Sequence, residues 1–285
     1  LQSIGKQAFS SCNALSELQL PSSLKTVGDY AFSYCQGLQN VTINAVTTGN
    51  FSFYDCNRLK QITFNEGVES IGYQAFYSCD SLTGSIVFPA TLKTMGDYAF
   101  INCGRLQEVT FNGGAIGYRA FKDCSGLKKA TFNEGVQSIG VESFQSCSNL
   151  GISIVFPASL KTMGANAFQY CNSLKEVTFN GGALANNAFY DCNGLKKATF
   201  NEGVLSIGVD AFNGCDSLAG SIVFPASLQS MGENAFRNCH ALTEVTIKGG
   251  AIGNYVFYQS NGLKKVTLSG GTIGYRAFYD CNRLK

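Results

Sequence analysis

Residues 117–140 read G-Y-R-A-F-K-D-C-S-G-L-K-K-A-T-F-N-E-G-V-Q-S-I-G, and residues 185–208 read A-N-N-A-F-Y-D-C-N-G-L-K-K-A-T-F-N-E-G-V-L-S-I-G. In both, a phenylalanine opens the pattern F-x-x-C-x-x-L: Phe121, Cys124, Leu127 in the first and Phe189, Cys192, Leu195 in the second. Working outward, thirteen such anchors run from Phe9 to Phe278, separated by 21, 23 or 24 residues. A longer period lies on top. Phe53, Phe121, Phe189 and Phe257 are 68 residues apart, as are Pro21, Pro89, Pro157 and Pro225, and Met95, Met163 and Met231. Three turn strings, N-E-G-V-x-S-I-G, P-A-[ST]-L-x-[TS]-M-G and N-G-G-A-[IL], return the chain to the next anchor.

A unit this short cannot bury an apolar face alone, but stacked copies share one continuous core. The stretch Leu106-x-x-Val109-x-Phe111 alternates in the manner of a short strand. Equivalent strands lie a whole coil apart, so they pair in parallel. The V-x-S-I-G segment, Val136 to Gly140, fits a second short strand on the opposite side, and A-F-x-x-C has room for a single helical turn. Stacking at strand spacing predicts a rod about 60 Å long. The chain, 1–285, thus reads as a single repeat domain of about thirteen coils.

The string L-x-x-I-G-x-x-A-F-x-x-C-x-x-L-x-x-V-x-F-P resembles the BspA-type leucine-rich repeat of surface proteins from anaerobic bacteria and some parasitic protists. The resemblance covers the whole chain. It implies a right-handed leucine-rich-repeat superhelix with a parallel β-sheet on one face and short strands and single helical turns on the other. It further implies a secreted or cell-surface role in adhesion or protein binding, and it carries no catalytic residues over. Two departures, the stretch Asn44 to Ser52, where Thr48 stands in a column usually held by Ile or Val, and Ser260 in the cysteine column, are expected to mark local irregularity.

Composition narrows the chemistry. Only 14% of residues are charged, against roughly 25% in ordinary globular chains, and the net charge is +2. No field for nucleic acid and no polybasic membrane patch follows from that balance. No apolar run is long enough to span a bilayer. His240 is the single histidine, which nearly removes triads and imidazole metal sites. The twelve cysteines form one column three residues after the anchors, and no C-x-x-C occurs. A line of parallel side chains does not converge on a metal. Neighbouring coils bring Cα atoms inside disulfide range, yet the side chains point the same way; the column reads as buried thiols serving as small hydrophobes. No G-x-S-x-G, phosphate loop or H-E-x-x-H is present. Glu66, Glu134 and Glu202 recur every three coils, roughly 14 Å apart, too far for a glycosidase pair. The expectation is a protein that is not an enzyme and takes no cofactor or metal.

The anchor phenylalanines and the strand-end set Phe64, Phe88, Phe111, Phe132, Phe156, Phe179, Phe200 and Phe224 read as core. Tyr54, Tyr77, Tyr190, Tyr258 and Tyr279 each follow an anchor and fall on the outer, non-sheet side. The sheet face exposes a threonine column with Val87, Val155 and Val223 interposed, beside lysine pairs. Glu108, Glu176 and Glu244 should stand opposite Lys129, Lys197 and Lys265 as lateral charge pairs. The candidate ligand-binding residues are Thr110, Lys128, Lys129, Thr131, Thr178, Lys196, Lys197 and Thr199. Neutral hydroxyls with sparse paired charge suit a protein or glycan partner better than a phosphate. The patterns Asn40-Val41-Thr42 and Asn50-Phe51-Ser52 match glycosylation acceptors without further support. Neither end carries a polar cap, so the expectation is a segment of a longer protein whose signal and anchor lie elsewhere. Its uncapped coils would leave it monomeric or associating end to end. A passive spacer and a regulatory or targeting domain of an enzyme are the alternative functions.

Overall fold

The computed structural model describes residues 1–285 apart from Ile152, and these fall into two compact units, Leu1–Cys147 and Ser148–Lys285. Each unit is a parallel β-solenoid in which one coil contributes two short strands and a run of tight turns.

In the first unit, seven strands pair in chain order: Ser3–Ile4, Thr26–Val27, Thr47–Thr48, Ser70–Ile71, Thr94–Met95, Gly114–Ile116 and Val136–Ile139. The second unit repeats this with Thr162–Met163, Gly182–Leu184, Val204–Ile207, Ser230–Met231, Ala251–Ile252 and Thr272–Ile273. In each unit the V-x-S-I-G segments and their counterparts therefore build the longer sheet. Thr48 sits regularly within it, 3% exposed and in register between Val27 and Ile71. The expected irregularity at Thr48 is absent.

The Leu-x-x-Val-x-Phe strands instead form sheets of three. In the first unit these are Glu17–Gln19, Asn40–Ile43 and Gln61–Phe64, then Ser85–Phe88, Glu108–Phe111 and Lys129–Phe132. In the second they are Ile154–Phe156, Glu176–Phe179 and Lys197–Phe200, then Gly220–Phe224, Leu242–Ile247 and Lys265–Leu268. One added residue explains the interruption. Leu82 and Phe88 are one residue further apart than Leu106 and Phe111, and Gly84 takes up the excess at φ +72°. The extra residue makes this a bulge, and the Gly84 carbonyl still accepts from both Gln107 (3.1 Å) and Glu108 (3.0 Å), as the Gln107 carbonyl does from Lys128 and Lys129. Gly220 does the same at φ +77°, with a register shift beside Ser221. Across these breaks Phe64 and Phe88 tilt by 34° and Phe200 and Phe224 by 35°, whereas Phe88 and Phe111 lie within 12°.

The remaining side of each coil corrects the expectation of single helical turns. No helix occurs among the described residues. Each coil carries two left-handed residues four apart, for example Arg119 (φ 52°) and Asp123 (φ 60°), or Tyr98 (φ 58°) and Asn102 (φ 62°). Left-handed backbone costs a side-chain-bearing residue about 1–2 kcal/mol, and it is offset by bonds a helix would not make. The N–H groups of Arg119, Phe121 and Asp123 donate to the carbonyls of Val141, Ser143 and Gln145 in the following coil, at 2.9, 2.8 and 3.0 Å. Lys122 and Cys124 close turns onto Arg119 and Phe121, both at 3.2 Å. The inter-coil triple recurs in the second unit, where Asn187, Phe189 and Asp191 donate to Val209, Ala211 and Asn213. The triples run from one coil to the next, while the turns close within a coil.

The core lies between these three sides. Anchor rings stack nearly parallel one coil apart: Phe100 on Phe121 at 5.2 Å and 1°, Phe168 on Phe189 at 5.2 Å and 2°. Strand-end rings meet them edge-on, as Phe111 meets Phe121 at 5.5 Å and 81°. Both geometries are favourable for aromatic quadrupoles.

The cysteine column is a donor column as well as an apolar one. The thiols of Cys56, Cys124 and Cys192 donate to the anchor carbonyls of the preceding coil, Phe32, Phe100 and Phe168, at 3.2, 3.2 and 3.1 Å. Ser260 is fully buried and makes the same bond, its hydroxyl donating to Phe236 at 2.9 Å. It replaces the thiol function rather than marking an irregularity. The expected outcome is an inversion of the usual core ordering. Cys124→Ser should stay within about 1 kcal/mol of the parent, and Cys124→Ala should lose about 1–2 kcal/mol. Urea denaturation of the two variants checks this, and alanine proving the milder change would deny the donor role.

Candidate functional site

The candidate sheet-face residues lie in two patches, one per unit. In the first, Thr110 and Thr131 are direct cross-strand partners, and Lys129 stands opposite Glu108. In the second, Thr178 faces Thr199 and Lys197 faces Glu176. Lys128, Lys129, Lys196 and Lys197 are exposed and the threonines half-buried. The register matches the expected charge ladder, but no ion pair within 4.0 Å joins Glu108 to Lys129 or Glu176 to Lys197. Exposed partners gain little from contact and lose side-chain freedom by making it. The charges therefore stay separately solvated. Val87, Val155 and Val223 occupy the threonine column and are 51%, 53% and 46% exposed.

In the second unit a shallow depression of about 340 Å³ opens at the break between the three-strand sheets, lined by Thr199, Asn201, Glu202, Val223, Pro225 and Lys248 among others. It falls where one three-strand sheet ends and the next begins, between the coils of Phe200 and Val223. The Glu202 carboxylate accepts from the Ser227 and Ala226 N–H groups at 3.1 and 3.2 Å, which hold its pKa below the usual carboxylate range. It is a turn brace.

The turn side carries the tyrosines. Those following an anchor are there as expected, Tyr54 and Tyr77 half-buried and Tyr279 45% exposed. The left-handed positions and those just before them add rings that sequence reading missed, among them Tyr30, Phe51, Tyr73, Tyr98 and Tyr118. In the first unit these join into an unbroken chain. Tyr30 stacks on Phe51 (4.5 Å), Phe51 crosses Tyr73 (5.2 Å, 70°), Tyr73 crosses Tyr98 (5.7 Å), and Tyr98 crosses Tyr118 (5.1 Å, 86°). Tyr34, Tyr54 and Tyr77 run beside them. At its far end Glu142 accepts from Arg119 Nε at 2.7 Å and Lys122 Nζ at 2.9 Å. Partial burial pushes the Glu142 carboxyl up, and the Arg119 and Lys122 bonds outweigh that and leave it below its ordinary range.

Among the described residues no cluster of three His, Cys, Asp or Glu side chains could hold a metal ion. Burial pushes the Cys56, Cys103 and Cys192 thiols up to about 12, away from nucleophilic thiolate. His240 lies at the surface with Asp216 4.0 Å away. No helix of the described residues is long and apolar enough to cross a membrane.

The family model for the BspA-type leucine-rich repeat region matches residues 1–107, 93–183 and 182–285, together spanning the chain. The chain belongs to the BspA-type leucine-rich repeat family. A leucine-rich repeat protein from Bacteroides ovatus is similar in structure over 100% of this chain and 81% of its own, with a TM-score of 0.67 and 26% identity. A leucine-rich repeat protein of T. pallidum matches over 76% of this chain and 82% of its own (TM-score 0.49, 25% identity). A protein of Faecalibacterium prausnitzii, described as a leucine-rich cell surface protein, matches over 100% of this chain and 86% of its own (TM-score 0.46, 21% identity). No curated protein matches the sequence. Membership in this family supports a non-enzymatic repeat module of the kind that binds proteins.

Proposed function

We propose that this chain is a recognition and adhesion module displayed at a cell surface, binding a protein or glycan through the three-strand sheet face. The observation that carries this reading is the outward column itself. It pairs exposed lysines that, among the described residues, have no carboxylate within 4.0 Å with half-buried threonine hydroxyls, Lys128, Lys129, Thr110 and Thr131 in one unit and Lys196, Lys197, Thr178 and Thr199 in the other. Such cations keep their pairing capacity for a partner, and the adjoining hydroxyls both donate and accept. The surface assignment draws support from the family and from the F. prausnitzii protein's description. The chain displayed to arrays of matrix proteins and glycans should retain a ligand. Lys129→Glu combined with Lys197→Glu should then lower its affinity at least about tenfold in moderate salt, where each reversed charge weakens steering and contact alike. Undiminished binding by the double variant would remove the sheet face as the site.

The 68-residue duplication favours one alternative, a spacer that holds another domain away from the surface. In that case the array yields no ligand, and function depends on the number of coils rather than on any side chain.

A further inference from the structure

On the turn side every arginine that meets a tyrosine lies over its ring. The Arg119 guanidinium sits 4.7 Å from the Tyr118 ring and 5.9 Å from Tyr98, in the angle between two rings crossed at 86°. Arg276 lies 5.0 Å from Tyr275, which is crossed with Tyr255 at 88°, and 4.7 Å from Tyr279. Arg237 lies 4.9 Å from Tyr258. The face thus has a built geometry for a planar cation: crossed rings one coil apart with a guanidinium in the angle.

The same geometry recurs in the first unit without a cation. Tyr34 and Tyr54 cross at 66° and 5.6 Å, and Phe51 and Tyr73 at 70° and 5.2 Å. No guanidinium of the described residues lies over these rings. Residues 28–35, 49–56, 72–79 and 96–103 contain no lysine or arginine, and the coil preceding Tyr34, residues 5–12, carries Lys6 but no arginine, so no guanidinium is supplied from these coils. Those segments supply carboxylates instead: Asp29, Asp55 and Asp97. Tyr34 is 44% exposed and Tyr73 38%, so both rings are open to a partner.

We propose that this ring surface, centred on Tyr34, Tyr54 and Tyr73 and flanked by Asp55 and Asp97, docks an arginine-rich segment of a partner protein. The partner's guanidinium groups take the positions that Arg119 and Arg276 fill elsewhere on the same face. Arginine is favoured over lysine because a planar, weakly hydrated guanidinium stacks on a ring while an ammonium acts as a solvated point charge. The whole chain carries +2, so no general field draws in a polycation. Attraction has to come from the local carboxylates and rings. This surface is separate from the sheet face, and the proposal stands or falls independently of that one.

Fluorescence anisotropy with labelled octa-arginine, octa-lysine and octa-glutamate peptides on the full chain tests it. Octa-arginine should bind saturably, octa-lysine at least about threefold more weakly, and octa-glutamate not at all. Tyr34→Ala with Tyr73→Ala should weaken octa-arginine about tenfold or more. Tyr34→Phe with Tyr73→Phe keeps the rings and should remain within about twofold, which holds the test valid should the alanine pair fold poorly. Lys129→Glu with Lys197→Glu should leave octa-arginine binding unchanged. Equal binding of the two cationic peptides, no saturable binding, a loss on Tyr→Phe equal to that on Tyr→Ala, or displacement of octa-arginine by a neutral oligosaccharide would each overturn the proposal.

Discussion

Phe121→Ala is expected to destabilise the first unit by about 3–5 kcal/mol, the range for emptying a phenylalanine site that cannot collapse. The side chain is fully buried and touches four rings: Phe100 and Phe144 at 5.2 Å above and below, Phe111 edge-on at 5.5 Å, and Phe88 at 6.1 Å. Its backbone N–H is one rung of the inter-coil ladder, bonded to Ser143 at 2.8 Å, so the walls of the cavity are held from closing. Because each coil contacts mainly its neighbours, the damage should stay local. Amide exchange should quicken first in residues 96–147. Val87→Ala, at a half-exposed site, should change stability by no more than about 0.5 kcal/mol. Urea titration of both variants reads the difference, and a loss below about 1 kcal/mol for Phe121→Ala would show that the ring stack is not the structural spine.

The second large effect is expected at Gly117. A Cβ there would meet Gly96 C and O and Met95 O at 2.6 Å, all backbone atoms of the preceding coil. The same column of glycines repeats at Gly72, Gly96 and Gly140. Glycine is required here by close backbone approach, since none of these has a positive φ. Ala185 holds this position in the second unit and keeps the bond, its N–H reaching Met163 O at 3.0 Å beside 2.9, 2.7, 2.7 and 2.8 Å for Gly28, Gly49, Gly96 and Gly232. One alanine is thus accommodated where its own coil has adapted to it. Gly117→Ala should therefore cost about 1–3 kcal/mol, and Gly117→Val, which adds two further atoms into the same backbone, more than about 3 kcal/mol. Gly104→Ala is the contrast, because its nearest neighbour would be Ser125 Oγ at 3.7 Å. That change should be nearly silent. A Gly117→Val protein as stable as the parent would mean the coils are not stacked this closely.

Much of this architecture was legible in the repeats. The F-x-x-C-x-x-L register placed the anchor rings, the leucines and the thiols on the inside, and the single-coil step placed Glu108 opposite Lys129. The three-strand grouping was present as well, in the single added residue before Phe88, but only the backbone shows that Gly84 spends it as a bulge. The turn side was not legible. Many of its left-handed positions hold residues such as Arg119, Tyr98, Tyr30 and Phe51, which carry no local preference for that conformation. Their dihedrals are imposed by bonds to the next coil, and such a cause is invisible in a window of sequence. The open tyrosine surface depends on these dihedrals, which is why the rings at Tyr30, Tyr73 and Tyr98 escaped notice while those directly after an anchor did not. Gly214 and the asparagines and aspartates at such positions, Asn102, Asn187, Asp191 and Asn238 among them, tolerate that conformation and were the hint available in the sequence.

The most direct test is nitrogen–carbonyl scalar coupling across hydrogen bonds, measured by NMR on isotopically labelled protein. Correlations from Arg119 N to the Val141 carbonyl and from Phe121 N to the Ser143 carbonyl are predicted, because those bonds clasp one coil to the next at 2.9 and 2.8 Å. A correlation from Phe121 N to the Gly117 carbonyl would mean that this side is helical and that neighbouring coils are not joined through it.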